Sequence, residues 1–144
     1  MRRSALGLAI VILCSVSAFS QQAQRQTALR EIIPGHYVFS SGTFNSGLIV
    51  TSDGVVVLDA LNSESVGKAE REAIANTIRQ PVRLLVSSTF HNNYSKGNLA
   101  YADVWKIGHE NYRTDLLQLM QREKVPAEEQ KARLPNETDR KSVV

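Results

Sequence analysis

The order of apolar and polar positions predicts a strand hairpin early in the chain. Two apolar runs, 46–50 and 55–58, flank Asp53-Gly54, a dipeptide typical of tight turns between antiparallel strands. Tyr37–Phe39 forms a shorter apolar run before them, and we predict a strand there too. The run 55–58 is continuously apolar instead of alternating, which is typical of a strand covered on both faces.

A helical period follows the hairpin. Apolar or small side chains recur on one helical face between Ser63 and Arg79, namely Val66, Ala69, Ala73, Ile74, Thr77 and Ile78. Asn62 or Ser63 can cap this helix, and Pro81 lies just beyond its end. The run Val82–Ser88 then predicts another strand. A strand, a helix and a strand at this spacing indicate a βαβ unit with parallel strands, and hence an α/β fold.

The remaining third of the chain continues the alternation. We predict one helical turn over 98–102, a strand over 104–108 and helices over 111–122 and 127–132. From residue 134 to residue 144 the chain is polar without an apolar period, so we predict a tail there.

The amino terminus has the pattern of an export signal. Arg2 and Arg3 precede an apolar run over 5–16, and Ala18 and Ser20 are small residues at the spacing that signal peptidases accept. The alternative is a retained membrane anchor, but the run is shorter than the ~20 residues that span a bilayer. We therefore predict a signal peptide over 1–20, a flexible lead-in over 21–32, a periplasmic or secreted product, and no stable membrane anchor.

Charge and cysteine content exclude several classes of function. The formal net charge is +3, but without Arg2 and Arg3 the chain has 15 basic and 14 acidic residues. Such a balance gives no electrostatic reason to expect nucleic acid as a partner. The one cysteine, Cys14, lies in the predicted signal. A disulfide framework, a cysteine-based zinc site and thiol catalysis are thereby excluded from the exported product.

Three residues that can bind a metal follow predicted parallel strands. Asp59 follows 55–58, His91 follows 82–88, and His109 follows 104–108. Ligands of open α/β sheets bind beyond the carboxyl ends of the strands, so these side chains are candidate ligands of a divalent metal. The alternatives are structural, because Asp59 can cap the following helix and His109 can begin the last long helix.

The segment Val86–Asn98 resembles the metal-binding loop of the metallo-β-lactamase superfamily, which follows a buried strand and has the pattern H-x-H-x-D-H. The order of strands and helices from about residue 33 to residue 120 is similar to that family as well. The resemblance implies the amino-terminal half of a four-layer αβ/βα sandwich, with a partial domain over 33–133 that ends where the second half would begin. It also implies zinc as cofactor and hydrolysis of a small-molecule ester, amide, lactam or thioester.

The loop departs from the family pattern at three of four positions. His91 matches, but Thr89 stands in place of the first histidine, Asn93 in place of the aspartate and Tyr94 in place of the last histidine. Threonine, asparagine and neutral tyrosine are poor zinc ligands, and asparagine cannot accept a proton from water. We therefore expect a truncated, catalytically impaired relative of a zinc hydrolase, with His91 as the one matched ligand and Asp59 and His109 as weaker candidates.

A non-catalytic binding or assembly module is the alternative function. In that case the polar loop 89–96 contacts a partner, or a second chain covers a sheet face that half a sandwich leaves bare.

Overall fold

The structure is a computed structural model that describes residues 27–140, and its centre is one mixed sheet of seven strands. The strands are β1 (Thr27–Ile33), β2 (His36–Ser41), β3 (Phe44–Thr51), β4 (Gly54–Leu58), β5 (Val82–Ser87), β6 (Trp105–His109) and β7 (Glu137–Asp139). Their order across the sheet is their order along the chain. The predicted α/β fold is confirmed.

The pairing of neighbouring strands changes once across the sheet, from antiparallel to parallel. β1 to β4 form an antiparallel meander, whereas β4 to β7 are parallel. The predicted hairpin at Asp53-Gly54 joins β3 and β4, with Gly54 at φ 138°. A Cβ atom there would lie 2.4 Å from the Pro81 carbonyl oxygen, so this turn requires glycine. The predicted βαβ unit is confirmed by the parallel pairing of β4 with β5.

Helices connect the parallel strands. They are α1 (Glu64–Thr77), α2 (Asn92–Ser95), α3 (Glu110–Arg122) and α4 (Ala127–Arg133), with a 3-10 helix over Lys96–Tyr101. Ser63 caps α1, because its hydroxyl accepts a hydrogen bond from the Val66 N–H. Asp59 does not cap α1, so that interpretation of Asp59 was wrong.

The core lies on one face of the sheet. Alternate side chains of β2 to β5, including Phe39, Leu48, Val57 and Leu85, are buried against the apolar face of α1. Tyr101 belongs to this core. The α3 helix packs on the same face farther along, where the Tyr112 ring lies against Gly108.

The opposite face has no covering layer within residues 27–140. It includes Leu58 and Trp105, which are 37% and 53% exposed. The continuous apolar run of β4 was therefore wrongly interpreted as a strand covered on both faces. No helix among the described residues is long and apolar enough to span a bilayer.

Two strands lie in segments where the sequence predicted none. β1 occupies the second half of the predicted lead-in, and β7 lies in the predicted polar tail. Both are edge strands, and β7 is fully exposed, so they need no apolar period to pair through their backbones. Asn136 sets the register of β7, because its side chain accepts from the Lys106 N–H and its own N–H donates to the Lys106 carbonyl. The predicted signal peptide, residues 21–26 and residues 141–144 lie outside the described residues, and the domain limits stay predictions.

Candidate functional site

The rim, meaning the edge of the sheet where β4, β5 and β6 end, contains all three predicted ligand positions. Asp59 follows β4, His91 lies in the loop after β5, and His109 is the last residue of β6. An open depression of about 350 Å³ adjoins the rim. It is lined by Ser88, Thr89, Phe90, His109, Asn111, Tyr112 and Asp115.

The Asp59 carboxylate connects the ends of β4 and β5. Its Oδ1 accepts the Ser88 N–H at 2.8 Å, and its Oδ2 accepts the Ser88 hydroxyl at 2.6 Å. The Asp59 N–H donates to the Val86 carbonyl at 2.9 Å. Both carboxylate oxygens therefore already have partners from the protein.

Backbone strain begins at the same residue. Asp59 and Leu61 have φ values of 65° and 67°, in the left-handed region that is costly for side chains other than glycine. Hydrogen bonds from the loop hold this segment, because Ala60 donates to the Tyr94 carbonyl and Gly97 donates to the Leu61 carbonyl. Left-handed backbone of this kind is found at functional sites in proteins.

His91 is engaged by its own loop. Its Nδ1 lies 2.8 Å from the Thr89 hydroxyl, and its exposed ring stacks on Phe90 with centroids 4.4 Å apart. Thr89, at the position of the missing first histidine, thus acts as a hydrogen-bonding partner of His91.

Asn93 and Tyr94, the other two substituted motif positions, have different surroundings from those of His91. Asn93 is exposed in α2. The Tyr94 ring packs edge-on against Phe44 of β3, with centroids 5.7 Å apart and ring planes at 87°. Tyr94 therefore has a packing role between the loop and the meander.

His109 begins α3. Its Nδ1 accepts a hydrogen bond from the Asn111 N–H at 3.1 Å, which is the geometry of a helix N-cap. The structural interpretation of His109 from the sequence is confirmed.

The donors at the rim do not fit a catalytic zinc. Within residues 27–140, no three His, Cys, Asp or Glu side chains are grouped so that they could hold a metal ion. Catalytic zinc sites in proteins use about three protein ligands, usually imidazoles and carboxylates. Here one imidazole bonds to Thr89, another caps a helix, and the carboxylate binds Ser88. The rim is thus built mainly from structural hydrogen bonds.

A buried polar network supports the loop from below, and the sequence analysis missed it. Arg133 of α4 is fully buried, and its Nη2 donates to the Asn92 Oδ1 at 2.8 Å and to the Ser95 hydroxyl at 3.1 Å. Asn98 donates to the Arg133 carbonyl and to the Tyr112 hydroxyl, and burial raises the pKa of Tyr112. An arginine in a short polar helix carries no sequence signal for such burial, so pattern alone could not have found it.

A buried acid lies beneath the meander. Glu70 of α1 is fully buried, and its Oε2 accepts the Tyr101 hydroxyl at 2.9 Å. Burial raises the pKa of Glu70 to about 7, although Ser46 and Tyr101 act in the opposite direction. The Ser46 hydroxyl lies near Glu70 but makes no hydrogen bond of ordinary geometry, and Oε1 has no partner among the described residues. Glu70 is thus a buried group whose charge changes near neutral pH.

Solved structures share this arrangement of strands and helices. A metallo-β-lactamase from Erythrobacter litoralis aligns with 83% of this chain and 52% of its own, at 13% identity and a TM-score of 0.64. A Pseudomonas aeruginosa metallo-β-lactamase in its mono-zinc form aligns with 78% and 50%, at 14% identity and a TM-score of 0.62. An enzyme of this class from Hirschia baltica aligns with 66% and 48%, at 12% identity and a TM-score of 0.61.

Comparison by sequence identifies no relative, since no protein-family model and no curated protein matches the chain. The chain spans about half the length of the metallo-β-lactamases that it matches in structure. The expected fold is confirmed: these residues adopt a partial metallo-β-lactamase fold.

Proposed function

We propose that this chain is an exported metallo-β-lactamase-fold protein that does not, as these 144 residues, carry out the zinc-dependent hydrolysis which that resemblance implies. One observation carries the proposal: the loop after β5 has a single histidine, His91, and its Nδ1 bonds to the Thr89 hydroxyl. The proposal treats Thr89, Asn93 and Tyr94 as lost ligands. The export signal over 1–20 belongs to the same proposal, and an intact mass beginning at Gln21 would support it.

The donor chemistry at the rim supports this view. A water nucleophile needs a metal with an open position or a general base within reach. Asp59 places a carboxylate at the rim, but both of its oxygens accept hydrogen bonds from Ser88. Asn93 cannot act as a base in its place.

Without hydrolysis, we propose that the chain acts as a non-catalytic binding or assembly module, and the bare sheet face favours this function. Leu58 and Trp105 lie on that face and expose 37% and 53% of their surface. Exposed apolar patches of this kind mark interaction surfaces in soluble proteins. If the chain does hydrolyse a substrate, we expect that substrate to be a small molecule bound at the rim.

Zinc content and turnover together test the proposal. The wild type, His91→Ala and the triple variant Thr89→His/Asn93→Asp/Tyr94→His are purified and measured for bound zinc and for hydrolysis of a general ester and a chromogenic β-lactam. His36→Ala is the matched control, because His36 is an exposed histidine outside the loop. We expect far less than one zinc per chain and no chelator-sensitive turnover in the wild type, unchanged by either single substitution.

The triple variant separates the loop from the rest of the site. Three added ligands should raise zinc affinity, since imidazole and carboxylate are good zinc ligands. Turnover should stay absent, because the depression beside the rim is open and does not hold a substrate in a fixed position. Stoichiometric zinc in the wild type, with turnover abolished by chelation and by His91→Ala, would overturn the proposal. Zinc-dependent turnover in the triple variant alone would place the whole defect in the loop.

A further inference from the structure

One row of paired residues crosses the bare face through all seven strands. In strand order its members are Arg30, Val38, Gly47, Leu58, Val86, Ile107 and Glu137. A second row beside it contains Ile49, Val56, Leu84 and Trp105. Since neighbouring strands pair these residues directly, their side chains lie on the same face of the sheet.

We propose that this face binds a second copy of the same chain, so that two sheets pack face to face about a two-fold axis parallel to the strands. The partner surface is therefore identical to the bare face itself. The proposal goes beyond the proposed loss of hydrolysis and does not depend on it, because neither row contains Asp59, His91 or His109.

The centre of the face is suited to contact with another apolar sheet. Between Val38 and Ile107 the first row has no charged or polar side chain. The second row is apolar from β3 to β6 and continues on β2 to His36, which pairs with Ile49. Side chains of these rows are only partly covered by their neighbours, and Trp105 is 53% exposed. Packed sheets in sandwich proteins bury such rows against each other at about 10 Å.

The two ends of the first row carry opposite charges, and this selects a second copy over an unrelated sheet. Arg30 lies on the β1 edge and Glu137 on the β7 edge, and both are exposed. A two-fold axis parallel to the strands reverses the strand order, so β1 of one copy lies over β7 of the other. Arg30 of each copy then faces Glu137 of its partner, while Leu58, the middle residue of the row, faces its own equivalent.

The size of the face is compatible with a reversible dimer. Strands about 4.8 Å apart and about 17 Å long give the seven-stranded face a flat area of roughly 500 Å². Projecting side chains make the solvent-accessible area of the face larger than this flat area. It therefore comes near the lower limit for specific protein interfaces, which is roughly 600 Å² per partner.

Sedimentation equilibrium of the full chain tests the proposal, at concentrations between roughly 1 µM and 1 mM, where an interface of this size is measurable. We expect a monomer–dimer equilibrium without larger species. Leu58→Lys should raise the dissociation constant at least 30-fold, because it places two ammonium groups together on the axis. Ala75→Lys is the control, since Ala75 is exposed on α1, and it should leave the equilibrium unchanged.

A charge exchange makes the test specific for the proposed orientation. Arg30→Glu alone and Glu137→Arg alone should each weaken the dimer about 3- to 30-fold, the fold-change that two ion pairs of ordinary strength give. The double variant restores both pairs and should return the dissociation constant to within about 3-fold of the wild type. Circular dichroism of every variant confirms that it is folded.

Three outcomes would overturn the proposal. One is a folded wild type that stays monomeric at the highest concentration, which would leave the face to a different polypeptide. Another is a dimer that Leu58→Lys does not weaken. The third is a double charge variant that remains as weak as the single variants.

Discussion

At the scale of single residues, Asp59 joins two neighbouring strands at the point where both end. Its carboxylate bonds the backbone and the hydroxyl of Ser88, 29 residues away along the chain. The residue accepts a φ of 65° to do so. Aspartate and asparagine tolerate this conformation better than other residues with side chains, because their short polar groups bond locally.

Two substitutions of Asp59 therefore allow the energy of its hydrogen bonds to be compared with the energy of its backbone strain. We expect Asp59→Ala to lower the free energy of unfolding by about 2–4 kcal/mol, since it removes two hydrogen bonds and leaves the strain uncompensated. Asp59→Asn keeps one acceptor and the backbone tolerance, so its loss should be about 1 kcal/mol or less. Urea unfolding of the two variants measures both values, and equal losses would show that Ser88 contributes little.

The sequence located this residue but not its partner. Asp59 was placed correctly after the end of a strand, because the apolar run 55–58 ends there. Its bond to Ser88 depends on the lateral distance between β4 and β5, which no local pattern encodes. Arg133 illustrates the same limit, since burial of that side chain depends on Asn92 and Ser95, which lie 41 and 38 residues away.

At the scale of elements, prediction succeeded where one face of an element is buried. The α1 helix and the strands β4 and β5 have apolar periods because they contact the core. The edge strand β7 has three exposed polar residues and pairs with β6 through its backbone, whereas β1 packs only Leu29 against the core. Hydrophobic pattern therefore identifies the interior of this sheet and misses its margins.

The 3-10 helix approaches the segment after β4 so closely that glycine is required at residue 97. A Cβ atom on Gly97 would lie 1.5 Å from the Ala60 carbonyl oxygen. We expect Gly97→Ala to reduce the free energy of unfolding by at least about 3 kcal/mol, because backbone on both sides would have to move.

Gly42→Ala is the control for this prediction. Gly42 has a φ of 61°, but nothing lies within 4 Å of its added Cβ atom. Its cost should be about 1–2 kcal/mol, from the left-handed backbone alone. Denaturant unfolding of both variants measures the difference, and a similar cost at the two positions would contradict the close approach at Gly97.

At the scale of the whole molecule, Glu70 makes the stability of the fold depend on pH. Burial raises the pKa of Glu70 from 4.5 to about 7 in the folded state. Between these two values the folded protein binds more protons than the unfolded chain, so stability falls as pH rises. The contribution of the protonated acid is complete below about pH 4.5 and is lost as the pH passes about 7.

We expect the free energy of unfolding to be about 3 kcal/mol lower at pH 8 than at pH 4.5 from this group, at one protein concentration. Glu70→Gln removes the titration and should flatten the profile in this window. Glu72→Gln is the control, because Glu72 is exposed on the same helix. Asp103, whose pKa is lowered by its hydrogen bond to Arg71, acts in the opposite sense at lower pH. A wild-type profile that matches Glu70→Gln would contradict the prediction.

The order of the strands has a consequence for how the chain folds during its synthesis. Each strand from β2 to β7 pairs with the strand made just before it, and none is inserted between two earlier strands. The sheet can therefore grow from its first hairpin in the direction of translation, with every new strand added at the one growing edge. Among the described residues the outermost strand at this edge is β7, whose three exposed residues, Glu137, Thr138 and Asp139, include two acidic ones. A short, charged edge strand is a poor template for pairing, so this edge of the sheet disfavours pairing with neighbouring nascent chains.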